Sequence, residues 1–261
     1  MSYQSLEIEA RNLGAWVWMN RPQTHNAFDD IMIAELTDAF AKLDADESVR
    51  VVVLAGRGKS FSAGANLHGM ERAAAGTEQE NLRDARAMAR MLKTIDRLSK
   101  PTVARVHGTA LGGGVGLVAV CDIAIASSSA AFATTEVRYG LNPSTISPYV
   151  IAAIGGRTAR RYLLSAERFS AEEARRTGLV HEVCAPEEID DRVNRLIDAL
   201  VAAAPKAQAE AKGLIRDVVG REIDDRLIDY TAKAIARLRA TPEAGEGIRA
   251  FIEKRKPTWD K

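Results

Sequence analysis

The chain has little cysteine, little net charge and no long apolar run, and each shortage excludes a class of protein. Its two cysteines, Cys121 and Cys184, lie far apart, with no Cys-x-x-Cys pair and no histidines at zinc-ligand spacing. We therefore expect buried thiols in a reducing compartment and no bound metal. Lysine plus arginine number 36 against 35 aspartate plus glutamate, so the net charge gives no reason to expect nucleic acid as a partner.

Membrane insertion and secretion are also disfavoured. No uninterrupted apolar stretch approaches the roughly 20 residues that cross a bilayer. The first residues, Met1 to Glu7, lack the basic region followed by an apolar segment that marks a signal peptide. We therefore expect a cytoplasmic protein without a membrane partner. The apolar content of 46% and the charged content of 27% are those of an ordinary globular domain.

The most informative segment that is present runs from Leu111 to Gly116, where four of six residues are glycine. It lies between a predicted strand, Thr102 to His107, and an apolar segment, Leu117 to Cys121, that we expect to be helical. Glycines at a helix N-terminus leave backbone N–H groups bare, and bare N–H groups bind developing negative charge. The run therefore predicts an oxyanion site, with close packing of the helix on the strand as the alternative.

The hydrophobic pattern predicts an α/β fold. Paired strands are expected over 6–9 and 13–19, a helix capped by Asp29 over 30–43, a strand over 49–55 and a helix over 78–98. This alternation favours parallel pairing of the strands. Beyond Pro143 the pattern is almost wholly helical, with a strand over 179–184 and helices over 148–154, 157–164, 170–177, 186–203, 206–219, 222–239 and 242–255.

A weak internal repeat gives the glycine run a partner. The strand Val51 to Gly56 leads to the small-residue loop Phe61 to Asn66, and the strand Val103 to Gly108 leads to the loop Ala110 to Gly114. If the two strands are neighbours, one N–H from each loop converges on a single oxygen. Each donor of such an oxyanion hole lowers an acyl-transfer barrier by roughly 3–4 kcal/mol.

Three motifs of other enzyme classes are incomplete or absent in this sequence. Gly58-Lys59-Ser60 resembles the end of a phosphate-binding loop, but Val53 stands where that loop needs glycine. A dinucleotide-binding pattern counted from Gly114 is met only in its loose form, with Ala119 as the last small residue. A Gly-x-Ser-x-Gly nucleophile elbow is absent from the sequence.

Glu136 is the candidate acid or base. It stands alone in the apolar-flanked stretch Phe132 to Val137, and desolvation by such neighbours raises a carboxyl pKa towards the range in which a glutamate accepts and returns protons. The alternative is a buried acid paired with Arg138. The two side chains share a face if the segment is extended.

Several segments together resemble the crotonase, or enoyl-CoA hydratase/isomerase, superfamily, in order and at the family's spacing. They are Trp18 to Ala27, Phe61 to Asn66, His107 to Gly114, Cys121 to Ala124 and Phe251 to Lys256. The resemblance implies a spiral of ββα units over residues 1–200 and a helical trimerisation region over 201–261. It also implies a homo-oligomer, either a trimer or a hexamer, and an acyl-CoA thioester as substrate without any metal or redox cofactor.

The resemblance carries over to individual residues. The backbone N–H groups of Ala65 and Gly113 match the family's oxyanion donors, and Ala63 and Gly112 stand in the same two loops as expected substrate contacts. Three more expected substrate contacts follow from the family pattern. They are Lys254, which matches a lysine that reaches CoA phosphate, His68, where many relatives have a lysine near CoA, and Gly116, where hydratases usually carry a first glutamate.

The second glutamate of the family's pair matches Glu136, so one acid of the usual two remains. We expect a hydratase that adds water to a 2-enoyl-CoA with Glu136 as acid and base. The alternatives are a Δ3,Δ2-enoyl-CoA isomerase that uses Glu136 as a single proton shuttle, and a non-catalytic acyl-CoA-binding subunit.

The subgroup that these segments most resemble is bacterial and hydrates 3-methylglutaconyl-CoA in leucine breakdown. The resemblance lies in residues 116–126, 136–150 and 166–171. This substrate carries a distal carboxylate, which we expect Arg138, Ser144 or Ser147 to receive.

Overall fold

The computed structural model describes residues 3–11 and 13–260, which form two β-sheets covered by helices. The strands are β1 (Leu6–Arg11), β2 (Gly14–Met19), β3 (Val51–Gly56), β4 (Thr102–Val106), β5 (Thr109–Leu111), β6 (Ile123–Ser127), β7 (Ala131–Ala133), β8 (Phe169–Ser170) and β9 (Glu182–Cys184). The helices are α1 (Asp30–Ala45), α2 (Leu67–Ala75), α3 (Glu78–Asp96), α4 (Gly113–Val120), α5 (Ser147–Ser165), α6 (Ala171–Thr177), α7 (Ile189–Ala202), α8 (Pro205–Val218), α9 (Asp225–Arg239) and α10 (Pro242–Ile252). Short 3-10 helices form at Pro22–Thr24, Glu136–Tyr139 and Pro186–Glu188.

The larger sheet has the strand order β1-β2-β3-β4-β6-β9. Strands β1 and β2 pair antiparallel, and the remaining neighbours pair parallel. Every residue of β3 is buried, which explains its unbroken run of apolar side chains. The predicted α/β architecture with parallel pairing is confirmed, and Asp29 caps α1 as expected by accepting the Met32 N–H at 2.9 Å.

Helices cover both faces of this sheet. On one face the side chains of Met32, Leu36 and Phe40 from α1 join the larger apolar core. On the other face Ile189, Val193 and Ile197 of α7 pack with alternate residues of the same strands. The boundary expected near residue 200 falls in the last turn of α7.

The smaller sheet, with the order β5-β7-β8, was not predicted. Its strands have two or three residues, which is too short for an alternating pattern to be read. Between β4 and β5 the chain turns at Gly108, where φ is +60° and an added Cβ would overlap the Lys59 carbonyl. This turn carries β5 alongside the loop that follows β3, where Ala110 pairs with Ser62.

The helices of the C-terminal half differ from prediction at their ends. The two helices expected over 148–154 and 157–164 form the single span α5, which is interrupted at Gly155, where φ is +73°. The predicted strand over 179–184 begins only at Glu182, because the Leu179 and Val180 N–H groups donate back to the carbonyl of Ala174 in α6.

Helices α8 to α10 contribute little to the core, since the side chains they bury are only Leu227 and Ala250 among the described residues. Lys212 of α8 ties this region to the larger sheet through Asp122 at 2.6 Å. Across residues 3–11 and 13–260, no helix has both the length and the apolar character needed to cross a bilayer.

Candidate functional site

The two loops of the internal repeat lie side by side. Strands β3 and β4 are parallel neighbours, with Val53 opposite Val103, so the loops that follow them leave the same edge of the sheet. The Leu111 N–H donates to the Ser62 carbonyl at 2.9 Å, which joins the second loop to the first. The two strands are therefore neighbours and their loops adjacent, as the prediction required, while convergence of their N–H groups on one oxygen stays a prediction.

The Ala65 amide is oriented by the carbonyl of its own peptide group. The Gly64 carbonyl accepts the Phe28 N–H at 2.6 Å. Because a trans peptide holds its C=O and N–H on opposite edges of one plane, the Ala65 N–H faces away from Phe28. Ala65 is exposed and lines a cavity.

The Gly113 amide is oriented in the same way from the second loop. The Gly112 carbonyl accepts the Val115 N–H at 2.9 Å, while the Gly112 N–H donates to the Ala133 carbonyl at 2.8 Å. Gly113 begins α4 and lines the same cavity as Ala65. Within the described residues neither the Ala65 nor the Gly113 N–H donates a hydrogen bond, so both remain available to one acceptor.

Glu136 lies beside these amides. It begins the 3-10 helix Glu136–Tyr139 and lines the cavity, and its Oε1 is 3.1 Å from the point where a Cβ on Gly112 would stand. Its Oε2 is buried and accepts no hydrogen bond from any described residue. Burial raises the pKa of the carboxyl, against a smaller opposite effect of its own backbone N–H.

The alternative interpretation, in which Glu136 is paired with Arg138, is wrong. The extended segment ends at Ala133, and a 3-10 helix turns residues two apart towards different faces. Arg138 is exposed and is absent from the cavity wall. Glu136 therefore has no counter-ion among the described residues, which is why burial dominates its pKa.

Gly116 lies behind the cavity wall. It is buried in α4, and a Cβ added there would overlap the side chain of Ile146, standing 2.8 Å from the Ile146 Cβ. Ile146 itself lines the cavity. An isoleucine therefore fills the space beside α4 that a longer side chain at position 116 would need.

The cavity has a volume of about 610 Å³, within the usual range for small-molecule sites. It extends from the two amides between the start of α1, helices α2 and α3, and the segment 139–146. Besides the groups already described, its walls include Asp29, Asp30, Ile33, Gly69, Met70, Arg72, Ala73, Ala74, Asn81, Asp84, Ala85, Met88, Tyr139, Leu141, Asn142, Pro143 and Thr145.

Other residues singled out in the sequence lie outside this wall. His68 is exposed, with its Nδ1 3.3 Å from a Glu71 carboxyl oxygen. Ser144 donates to the side chain of Asn142, and Lys254 is exposed just after α10. Ala63 donates its N–H to the His25 carbonyl at 2.9 Å. The expected substrate contacts of these four residues remain predictions.

The sequence did not single out Arg72, which is the one cationic side chain among the described residues that line the cavity. Its Nη2 donates to both carboxyl oxygens of Asp30, at 3.0 and 2.8 Å. Its Nε and Nη1 donate to no described residue, so the guanidinium keeps one edge free for a second acceptor. Finding Arg72 from the sequence would have required knowing which face of α2 lies on the cavity.

The raised pKa of Glu136 predicts a pH-dependent effect on stability. A carboxyl whose pKa is higher in the folded than in the unfolded chain destabilises the fold once it ionises. We therefore expect the Tm advantage of Glu136→Gln over the wild type to grow as pH rises above about 4.3 and to level off beyond the raised pKa. Thermal unfolding monitored from pH 4 upwards measures this, and a Tm difference that does not change with pH would contradict it.

Among the described residues, two free amides and one carboxyl without a counter-ion line a single cavity. An arrangement of this kind is chemically suited to stabilise an oxyanion while a proton moves. The family model described as enoyl-CoA hydratase/isomerase matches residues 11–261. The chain belongs to the enoyl-CoA hydratase/isomerase family, in the crotonase superfamily.

A solved structure and named relatives agree with this assignment. The crystal structure of an enoyl-CoA hydratase from Shewanella pealeana superposes with a TM-score of 0.95 and 39% identity, covering 98% of this chain and 96% of that one. The crotonyl-CoA hydratase of Syntrophomonas wolfei is 32% identical over 99% of both chains. The (E)-benzylidenesuccinyl-CoA hydratase of Thauera aromatica is 33% identical over 97% of both. The predicted crotonase fold is confirmed.

Proposed function

We propose that the protein adds water to 2-enoyl-CoA thioesters, with Glu136 as the acid and base and the Ala65 and Gly113 amides as the oxyanion hole. The observation that carries this is the unpaired Glu136 carboxyl on the same cavity wall as the two free N–H groups. Relatives named as hydratases support water as the second substrate.

The chemistry follows from these three groups. The thioester oxygen accepts a hydrogen bond from each of the two N–H groups. The Glu136 carboxylate takes a proton from water as the water oxygen bonds to C3. The electrons of the C2–C3 double bond move onto the thioester oxygen, where the amides stabilise the enolate. Glu136 then returns the proton to C2 as the enolate collapses, so water is added and the carboxylate is restored. A raised pKa suits a group that both takes and returns a proton.

The acyl group that we propose is 3-methylglutaconyl, in leucine breakdown, on the sequence resemblance together with the polar end of the cavity. Each of the three aspartates on the cavity wall forms an ion pair with an arginine. The pairs are Asp29–Arg21, Asp30–Arg72 and, at 3.7 Å, Asp84–Arg83. Arg72 keeps donors free, so we propose that it, rather than Arg138 or Ser144, receives the distal carboxylate. The relative from Thauera aromatica is named for a succinyl-CoA derivative, which also carries a second carboxylate.

Arg72→Gln tests this assignment. We expect KM for 3-methylglutaconyl-CoA to rise about tenfold or more, because a charge-assisted hydrogen bond to the carboxylate is worth roughly 1.5–3 kcal/mol. KM for crotonyl-CoA, which lacks the carboxylate, should stay within about twofold by the same argument. Arg86→Gln on the neighbouring helix, where Arg86 is exposed and lies outside the cavity wall, is the matched control. Equal changes for both substrates would contradict the role of Arg72.

Isomerisation is the second candidate function. It is favoured by Ile146, which packs over Gly116 and fills the space that a second acidic side chain would need there. An isomerase needs one carboxyl to move a proton between C4 and C2 of a 3-enoyl-CoA, and Glu136 suffices for that. Purified protein assayed with 2-enoyl- and 3-enoyl-CoA thioesters separates the candidates. Water addition supports the hydratase, double-bond migration without hydration supports the isomerase, and thioester binding without either reaction supports a non-catalytic acyl-CoA-binding subunit.

For the assembly we propose a trimer or hexamer in which further copies of this chain cover helices α8 to α10. Large apolar side chains are exposed there, among them Ile223 at 81%, Phe251 at 86% and Ile252 at 71%. Large apolar side chains exposed in such number in one region are typical of a surface that binds protein.

Phe251→Asp tests the assembly. We expect it to lower the mass measured by light scattering to that of a smaller species, because a charge cannot be buried in an apolar interface without a partner. Leu164→Asp, at an apolar position exposed to 75% on α5 outside this region, is the matched control. An unchanged mass for Phe251→Asp would contradict the proposed interface.

A further inference from the structure

Ser62 contacts both loops that carry the free amides. Its N–H donates to the Thr109 carbonyl at 3.1 Å, and its carbonyl accepts the Leu111 N–H at 2.9 Å. Its side chain is fully buried, although it is polar. The backbone of Ser62 therefore sets the spacing between the loops, and its hydroxyl requires a separate explanation.

The hydroxyl links the first loop to a rigid anchor. It donates to the Asn26 carbonyl at 2.8 Å and accepts the Gly64 N–H at 3.2 Å. Asn26 is itself held by its side chain, which accepts the Arg21 N–H and donates to the Arg57 and Ser60 carbonyls, each at 2.9 Å. The anchor is thus tied to three points of the chain.

We infer that Ser62 is a positioning residue for the Ala65 amide, an inference that rests on the proposed function. Gly64 has φ of +83°, and glycine has little intrinsic preference for one backbone conformation. Two hydrogen bonds hold it: its N–H binds the Ser62 hydroxyl and its carbonyl binds Phe28. Without the hydroxyl the first of these is lost, and the Phe28 hydrogen bond alone orients the peptide that bears the Ala65 N–H, so we expect that peptide to be less firmly positioned.

Ser62→Ala is the direct test, with Ser127→Ala as a matched control. Ser127 is also fully buried and its hydroxyl is also hydrogen-bonded, to Ser129 at 2.8 Å, but it lies at the end of β6 outside the site. We expect Ser62→Ala to lower kcat about tenfold with KM little changed, since one oxyanion donor is misaligned rather than removed. Ser127→Ala should keep the wild-type kcat. Equal losses in the two variants would overturn the inference.

A spectroscopic measurement reports on the amides directly. The saturated thioester butyryl-CoA, labelled with 13C at its carbonyl, binds without turnover, and its C=O stretching frequency falls when the oxyanion donors polarise the carbonyl. We expect Ser62→Ala to reduce this frequency shift and Ser127→Ala to leave it unchanged. Ser62→Cys should restore part of the shift, because the thiol keeps a weak hydrogen-bond acceptor. A full wild-type shift in Ser62→Ala would overturn the positioning role alone. Absence of any shift in the wild type would instead overturn the proposed oxyanion hole.

Discussion

Replacing Glu136 by glutamine should reduce kcat for the wild-type reaction by about 10³-fold, within the 10²–10⁴-fold range that general acid–base groups contribute. Glutamine keeps the shape of the side chain but neither takes a proton from water nor returns one to carbon. The two amides are backbone groups in other loops, so thioester affinity should remain within about threefold. Stopped-flow or spectrophotometric assays give kcat, and calorimetric titration with a saturated acyl-CoA gives the affinity.

The control for this prediction is Glu187→Gln, because Glu187 is exposed in the 3-10 helix before α7 and lies outside the cavity wall. It should keep full activity. Deuterium from the solvent provides an independent readout, since Glu136 is proposed to deliver the proton to C2. A Glu136→Gln variant that still turns over at the wild-type rate would show that the proton shuttle is assigned to the wrong residue.

Replacing Gly64 by alanine should damage both stability and turnover. An added Cβ would stand 2.7 Å from the Leu111 carbonyl oxygen and 3.4 Å from the Gly113 nitrogen, at a φ of +83°. The left-handed conformation costs roughly 1–2 kcal/mol for a residue with a side chain. Because the obstructing atom is backbone, the second loop must also move, so we expect a total loss of about 3 kcal/mol or more in unfolding free energy. A shift of about 1 Å between the amides should lower kcat about 10²-fold.

Gly220→Ala separates the cost of the left-handed backbone conformation from the cost of the close contact between the loops. Gly220 has a similar φ of +77°, but no atom of a described residue lies within 4 Å of an added Cβ. It should therefore show only the conformational cost, about 1–2 kcal/mol, and normal kcat. Urea unfolding and steady-state kinetics on both variants measure the difference. Equal stability losses with normal kcat in Gly64→Ala would contradict the close approach of the loops.

The paired loops of the site could be predicted because their cause is local and repeated. A buried apolar strand that ends in a small-residue loop occurs twice, at Val51 to Gly56 and at Val103 to Gly108. Parallel neighbours place such loops at one edge of a sheet, and the pairing of β3 with β4 does so. The Glu136 environment was predictable for a related reason, since apolar neighbours in the sequence indicated a desolvated carboxyl.

Contacts between segments distant in the chain were not predictable in this way. The position of strand β5 in the smaller sheet depends on the turn at Gly108, and the position of Arg72 depends on the rotation of α2 about its axis. The extended conformation that pairing of Glu136 with Arg138 would have required is not found, because Glu136 begins a 3-10 helix. In each case the local sequence allows more than one conformation, and the packing of a distant segment selects one.

By itself, the sequence determined the α/β class, the two glycine-containing loops and the single acid, since these depend on residue type, periodicity and spacing along the chain. The tertiary structure decided that Ile146 fills the space over Gly116 and that, among the residues it describes, nothing accepts from the Ala65 and Gly113 amides or pairs with Glu136. The physical reason is that a free donor, an unpaired charge and a filled space are properties of the surroundings. Those surroundings are assembled from residues that are far apart in the sequence.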